Sequence, residues 1–163
     1  MSNNSNLYKL QKKLKDNNID IFIINRTDEF LNEYIAPYAE RLKWVTNFSG
    51  SAGRAIVAQN QATLFVDGRY TFQAKEQINQ DEIVLIDYKD FWKIFEECCK
   101  SVKSIALDFR LYSAEEILKF YKYVEDNNVK IIFLNRNLID NIWLDQPKKK
   151  YSNIFDHPIK FSG

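Results

Sequence analysis

Short apolar, β-branched runs alternate along this chain with stretches of helical periodicity, and that alternation restricts the available folds more than any single residue does. Leu7, Leu10 and Leu14 recur at helical spacing until Asp16-Asn17-Asn18 stops the pattern. Ile19 to Ile24 then reads as a strand buried on both faces, and Asn25 to Asp28 as a turn. Glu33-Tyr34-Ile35-Ala36-Pro37 is irregular, because Pro37 disfavours helix at Ala36. Tyr38 to Thr46 predicts a short helix exposing Glu40, Arg41 and Lys43. Arg54–Ala58 and Ala62–Val66, joined by Gln59-Asn60-Gln61, predict a β-hairpin. Asp67 is placed to cap a helix over Tyr70 to Ile78.

The second half repeats a simpler rhythm. Strands are expected over Ile83–Ile86, Ser104–Leu107 and Val129–Leu134, and helices over Asp90–Lys100 and from Ser113 to about Asp126. Ser113 and Glu116 have the spacing of a capping box, in which each side chain satisfies a free N–H near the other. Asn137–Trp143 closes the compact part as a short helix. Strands alternating with helices, plus one antiparallel hairpin, indicate an α/β fold built on a mixed sheet. Residues 1–6 read as a flexible leader, 7–147 as the domain, and 148–163 as a linker, with Lys148–Lys150 a solvated run.

Three of the four glycines lie between Gly50 and Gly68. Glycine permits backbone shapes that other residues resist and lets a neighbouring segment approach closely. Ser49-Gly50-Ser51-Ala52-Gly53 lacks the Gly-Lys-Ser/Thr ending of a phosphate cradle, so a tight turn with something packed on it is the better description. Gly68, in Asp67-Gly68-Arg69-Tyr70, is expected to free the backbone where a strand ends. Such a strand-to-helix junction is a usual place for ligand contact in α/β folds. From the residues alone, Arg69 is either a solvated arginine or a planar guanidinium offered to a carboxylate or carbonyl, and the solvated alternative is favoured.

Other function classes are poorly served. The formal net charge of +1 provides no global attraction to nucleic acid or anionic membrane, and no apolar run is long enough to span a bilayer. The single histidine, His157, falls in the expected linker, which leaves Ser-His-Asp and Cys-His catalysis without a positioned base. Asp108, Glu115 and Glu116 read as a strand end and capping residues rather than metal ligands. Adjacent Cys98 and Cys99 point in different directions on a helix, so they do not pair. Two thiols without a disulfide framework suit a reducing, cytoplasmic compartment. Trp44, Trp92 and Trp143 lack the spacing of a stacking platform and read as core or interface anchors.

Glu33-Tyr34-Ile35-Ala36-Pro37, Phe48-Ser49-Gly50-Ser51-Ala52-Gly53 and Asp67-Gly68-Arg69-Tyr70, in this order and spacing, resemble the N-terminal domain of the three-domain Xaa-Pro aminopeptidases (aminopeptidase P). Asn137 to Trp143 with Asp145-Gln146-Pro147 resembles the close of that domain, and His157-Pro158-Ile159 to Gly163 the approach to a second one. The resemblance implies a creatinase/prolidase-type N-terminal fold, a three-layer domain with a mixed sheet between helices. It also implies that the complete enzymes release an N-terminal residue preceding proline. They do so with two divalent ions, usually manganese, held by Asp, His and Glu of a C-terminal domain that this sequence does not include. The present chain is therefore expected to carry no catalytic residue and no metal ligand, and to be inactive alone. Its expected partners are an Xaa-Pro peptide in the complete enzyme and a catalytic domain or a homo-oligomer partner. What the resemblance brings to this chain is Arg69 as a peptide-binding residue, supported by Asp67, Gly68 and Tyr70. The alternative is a free-standing protein-interaction module that has kept the fold and lost the enzyme.

Overall fold

The computed structural model describes residues 5–161. The expectations placed on Met1 to Asn4 and on Ser162 and Gly163 lie outside them. Six strands form one sheet: β1 (Ile21–Asn25), β2 (Gly53–Ala58), β3 (Ala62–Val66), β4 (Ile83–Asp87), β5 (Ser104–Leu107) and β6 (Lys130–Phe133). Their order across the sheet is β4-β3-β2-β1-β5-β6. The hairpin makes β2 antiparallel to both β1 and β3, while β3–β4, β1–β5 and β5–β6 pair parallel. The sheet is thus mixed through a single reversed strand. The C-terminal ends of β1, β3, β4, β5 and β6 share one edge with the start of β2.

Helices cover both faces. The period-two alternation of the strands sends Phe22 and Ile24 to one core and Ile21 and Ile23 to the other. The first core receives Leu7, Leu10 and Leu14 from α1 (Asn6–Asp16), Leu42 and Val45 from α2 (Arg41–Thr46), and Ala74 from α3 (Thr71–Gln77). The second receives Phe91, Phe95 and Cys99 from α4 (Phe91–Cys99) and Phe120 and Val124 from α5 (Ala114–Glu125). Phe91, Phe95 and Phe120 meet edge-to-face or stacked at centroid distances of 5.1 to 6.3 Å. These are favourable geometries for ring quadrupoles.

Local rules account for most boundaries. Ser113 accepts from the Glu116 N–H and Glu116 accepts from the Ser113 N–H, so the capping box closes as expected. Asn47, at φ 65°, ends α2 in the left-handed region that asparagine tolerates. Trp44 and Trp143 stack at 5.5 Å against the first core.

Four expectations need correction. Ser5 and Asn6, expected in the leader, belong to the domain, because the Ser5 hydroxyl accepts from the Tyr8 N–H and Asn6 already begins α1. The helix expected over Asn137–Trp143 is one 3-10 turn, Ile139–Asn141, because the Asn137 side chain takes the Ile139 N–H. Arg41 was expected to be exposed but is 5% accessible; its guanidinium pairs with Asp140, at 2.7 Å from Nε and 2.9 Å from Nη2. Lys149, expected in a solvated run, packs against Glu29 and over the rings of Phe30, Tyr38 and Tyr151.

Candidate functional site

At the C-terminal end of β3 the chain enters a 3-10 turn, Gly68–Tyr70, before α3 begins. The Asp67 carboxylate accepts the Arg69 backbone N–H at 3.0 Å and the Arg69 Nε at 2.8 Å. Hydrogen bonding to Arg69 holds the Asp67 carboxyl below its usual pKa and raises that of the guanidinium. The pair is solvent-facing, with the Arg69 side chain 76% exposed. The guanidinium lies over the Tyr70 ring, its Cζ 5.7 Å from the centroid, and both terminal Nη groups have no hydrogen-bond partner among the described residues. The turn thus aims a guanidinium outward and leaves a bidentate donor edge open.

The glycine-rich turn supports this arrangement from beneath. Tyr70 and Ser51 share a hydrogen bond of 2.6 Å, and the Tyr70 ring meets Phe48 edge-on at 6.0 Å. A Cβ on Gly50 would lie 2.2 Å from Phe48 Cζ and 2.8 Å from Tyr70 Cδ1. Gly53 is similarly closed by Phe48 and Leu42. Close approach, and not a phosphate cradle, explains both glycines. Gly68 differs: its φ is not positive and nothing lies within 4 Å of a Cβ there, so the backbone freedom expected of it is not used.

The same turn recurs along the sheet edge. After β4, Asp87 accepts from the Lys89 N–H and pairs with its ammonium. After β5, Asp108 accepts from the Arg110 N–H, Nε and Nη2. Each is Asp-x-Arg or Asp-x-Lys following a strand, a repetition legible in the sequence and overlooked there. Asp108 is 1% exposed and also accepts from Asn137 Nδ2 at 3.2 Å, so it fixes Arg110 from a buried base. Its expected place at a strand end holds, and its capping of the turn that follows is an addition from the structure.

Between these turns the loop after β1 is organised by buried Asp28, whose Oδ1 accepts the N–H groups of Phe30 and Asn32. Leu31 sits at φ 58°, a region a leucine occupies only when its surroundings hold it there. Arg26 braces the loop through the carbonyls of Glu33 and Ser51 and the Glu40 carboxylate. Phe30, Leu31 and Tyr34 are left facing solvent, and Phe72 does so beside the Arg69 turn. Arg54, at the start of β2, is 3% exposed and paired with Glu116; the rings of Tyr88, Phe91, Trp92 and Tyr112 surround its guanidinium. Its burial identifies it as a structural cation tying β2 to the first turn of α5.

Among the described residues, no three His, Cys, Asp or Glu side chains gather as a metal site. The residues present do not fit the divalent pair implied for the complete enzymes. No helix among them is long and apolar enough to cross a membrane.

Comparison with known proteins agrees with this architecture. The profile of the Creatinase/Prolidase N-terminal domain matches residues 6–132. Among curated relatives, a probable Xaa-Pro aminopeptidase P of Coccidioides posadasii is 32% identical over 162 residues, covering 96% of this chain and 26% of the relative. One from Paracoccidioides brasiliensis is 30% identical with the same coverage. The chain therefore spans about a quarter of the length of the curated relatives it matches. Among solved structures, the X-prolyl aminopeptidase of Caenorhabditis elegans, described as a cytosolic enzyme with a di-nuclear active site, superposes with a TM-score of 0.80 at 25% identity. That match covers 91% of this chain and 26% of that one. The N-terminal domain of the cytoplasmic peptidase PepQ from Mycobacterium tuberculosis superposes with a TM-score of 0.65 at 18% identity; it covers 84% of this chain and 97% of that domain, a likeness of fold alone. With the family profile matching residues 6–132, well over half of its length, the chain belongs to the creatinase/prolidase N-terminal domain family.

Proposed function

We propose that this domain serves a cytoplasmic, metal-dependent Xaa-Pro aminopeptidase as a non-catalytic part that binds the peptide and assembles with the catalytic domain. The observation that carries it is the Arg69 turn. A guanidinium tied at Nε by Asp67 keeps its Nη edge open at the sheet edge, where α/β folds meet their ligands. Such an edge can grip a peptide carbonyl or carboxylate and orient it without taking part in bond breaking. Hydrolysis itself would rest on two divalent ions, usually manganese, held elsewhere. Asp67 sets the guanidinium direction, and Tyr70, held by Ser51, sets the turn that carries it.

The test is Arg69→Ala in the complete enzyme containing this domain. The expected result is a raised KM for an Xaa-Pro peptide with the melting temperature unchanged, since an exposed arginine contributes little to folding. An unchanged KM would overturn the role given to Arg69. The 163-residue chain alone, supplied with manganese, is expected to leave the same peptide intact.

A second reading, a free-standing interaction module, draws on the tail. Tyr151, Ile154, Phe155, Ile159 and Phe161 are all at least 66% exposed. Light scattering of this chain with a separately produced catalytic domain distinguishes the two. A complex that restores turnover supports the enzyme part, and a complex without turnover supports the module.

A further inference from the structure

The strand order places a second feature on the same edge, away from β3. Strands β1 and β5 are neighbours and parallel, but the chain leaving β1 runs toward β2 on one side and the chain leaving β5 toward β6 on the other. Connections that part in this way open a crevice beyond the strand ends, the usual ligand position in open α/β sheets. A cleft of about 510 Å³ lies there, within the size range of small-molecule sites. Its walls come from the loop after β1 (Glu29, Tyr38), α2 (Arg41), the turn after β5 (Arg110) and the closing segment (Asp140, Lys148).

Hydrogen-bond accounting across the cleft is lopsided. Every carboxylate oxygen of Asp140 and Glu29 already holds a donor. Asp140 receives Arg41 Nε on Oδ1 and Arg41 Nη2 on Oδ2, and Gln146 Nε2 adds a third bond at 2.8 Å. Glu29 receives Lys149 on one oxygen and the Tyr38 hydroxyl on the other. The donors are only partly used. Arg41 is 5% exposed and lines the cleft, and its buried Nη1 has no hydrogen-bond partner among the described residues. Arg110 gives Nε and Nη2 to Asp108, leaving Nη1 open, and Lys148 has no partner among the described residues. Counting buried Asp108 behind Arg110, four cations face three carboxylates, and the surplus is Lys148. A buried N–H without an acceptor is costly, so an incoming oxygen anion gains where a neutral or cationic ligand does not.

We propose that this cleft is a binding site for a small soluble ligand bearing an oxyanion, a carboxylate or a phosphate, taken up by Arg41, Arg110 and Lys148. It is independent of the peptide role of Arg69, which lies across the sheet in the turn after β3. The test is titration of the 163-residue chain with inorganic phosphate and, separately, with succinate, against sodium chloride of matched ionic strength, followed by amide NMR. Saturable shifts centred on Arg41, Leu111, Asp140 and Lys148 are expected from phosphate or succinate and not from chloride, and the tighter of the two identifies the anion class. Lys148→Ala, an exposed change that leaves the fold intact, is expected to weaken binding about threefold, and Arg110→Lys, which keeps the Asp108 partner but loses the open fork, about tenfold. Non-saturating shifts spread over surface lysines, or equal affinity in both variants, would overturn the site.

Discussion

Replacing Gly50 by alanine adds one methyl group where the structure has no room for it. The new Cβ would stand 2.2 Å from Phe48 Cζ, 2.7 Å from Phe48 Cε2 and 2.8 Å from Tyr70 Cδ1. Phe48 is 1% exposed and cannot swing into solvent, so the ring, the turn or Tyr70 has to move. Overpacking of this kind costs about 1–3 kcal/mol, and contacts this short place it in the upper half of that range. Gly50 has no positive φ, so alanine also gains about 0.4–1 kcal/mol by restricting the unfolded chain. The net is a destabilisation of about 2 kcal/mol, which for a domain of this size lowers the melting temperature by about 4–8 °C. Gly68→Ala is the internal control: with nothing near its Cβ and no positive φ, only the unfolded-state gain remains, and its melting temperature is expected to hold or rise slightly. Thermal denaturation followed by circular dichroism measures both. Equal melting temperatures for the two variants would refute the assignment of Gly50 to close packing under Tyr70.

Further outcomes follow from the buried and half-buried charges. Glu116→Gln keeps a side chain able to close the capping box but leaves Arg54 without its counter-ion; with Glu116 31% exposed, urea unfolding should show a loss of about 1–3 kcal/mol, and no loss would mean the surrounding rings suffice for Arg54. At Glu29, burial raises the pKa, but hydrogen bonds from Lys149, its own backbone and Tyr38 outweigh it and bring the value to about 2. Because the folded value lies below the ordinary one near 4.5, the tie to Lys149 contributes stability above pH 4.5 and loses it progressively toward pH 2. Carboxyl NMR titration checks this, and Lys149→Ala should return Glu29 toward its ordinary value. Burial first, then Cys98 and Glu96, push the Cys99 thiol up to about 11, so Cys99 should resist alkylation at neutral pH in the folded chain and react once it is unfolded.

The order of strands and helices was legible because each element carries its own signal over a few residues. Ile21 to Ile24 have no polar face, Ser113 and Glu116 stand three apart, and Gln59-Asn60-Gln61 separates two apolar runs. The family motifs are legible for the same reason, each being a short contiguous string. The glycine cluster was read correctly as a site of close approach at Gly50 and Gly53, but its third member was not: Gly68 occupies ordinary backbone space. Of the candidate site, Arg69 and Asp67 were found as neighbours in sequence, and the kindred turns at Asp87 and Asp108 were missed although the same spacing marks them.

The sequence by itself determined the layer class, the mixed sheet and the family, since these follow from periodicity, caps and local motifs. Only the tertiary structure decided which charges meet. Arg41 finds Asp140 from 99 residues away, Arg54 finds Glu116 from 62, and Lys149 finds Glu29 from 120. No local propensity encodes such pairs, because they depend on which strands lie side by side and on which edge each loop emerges. The oxyanion cleft has the same origin: its donors Arg41, Arg110 and Lys148 come from three separate segments, and the parting of connections between β1 and β5 is what brings them to one place.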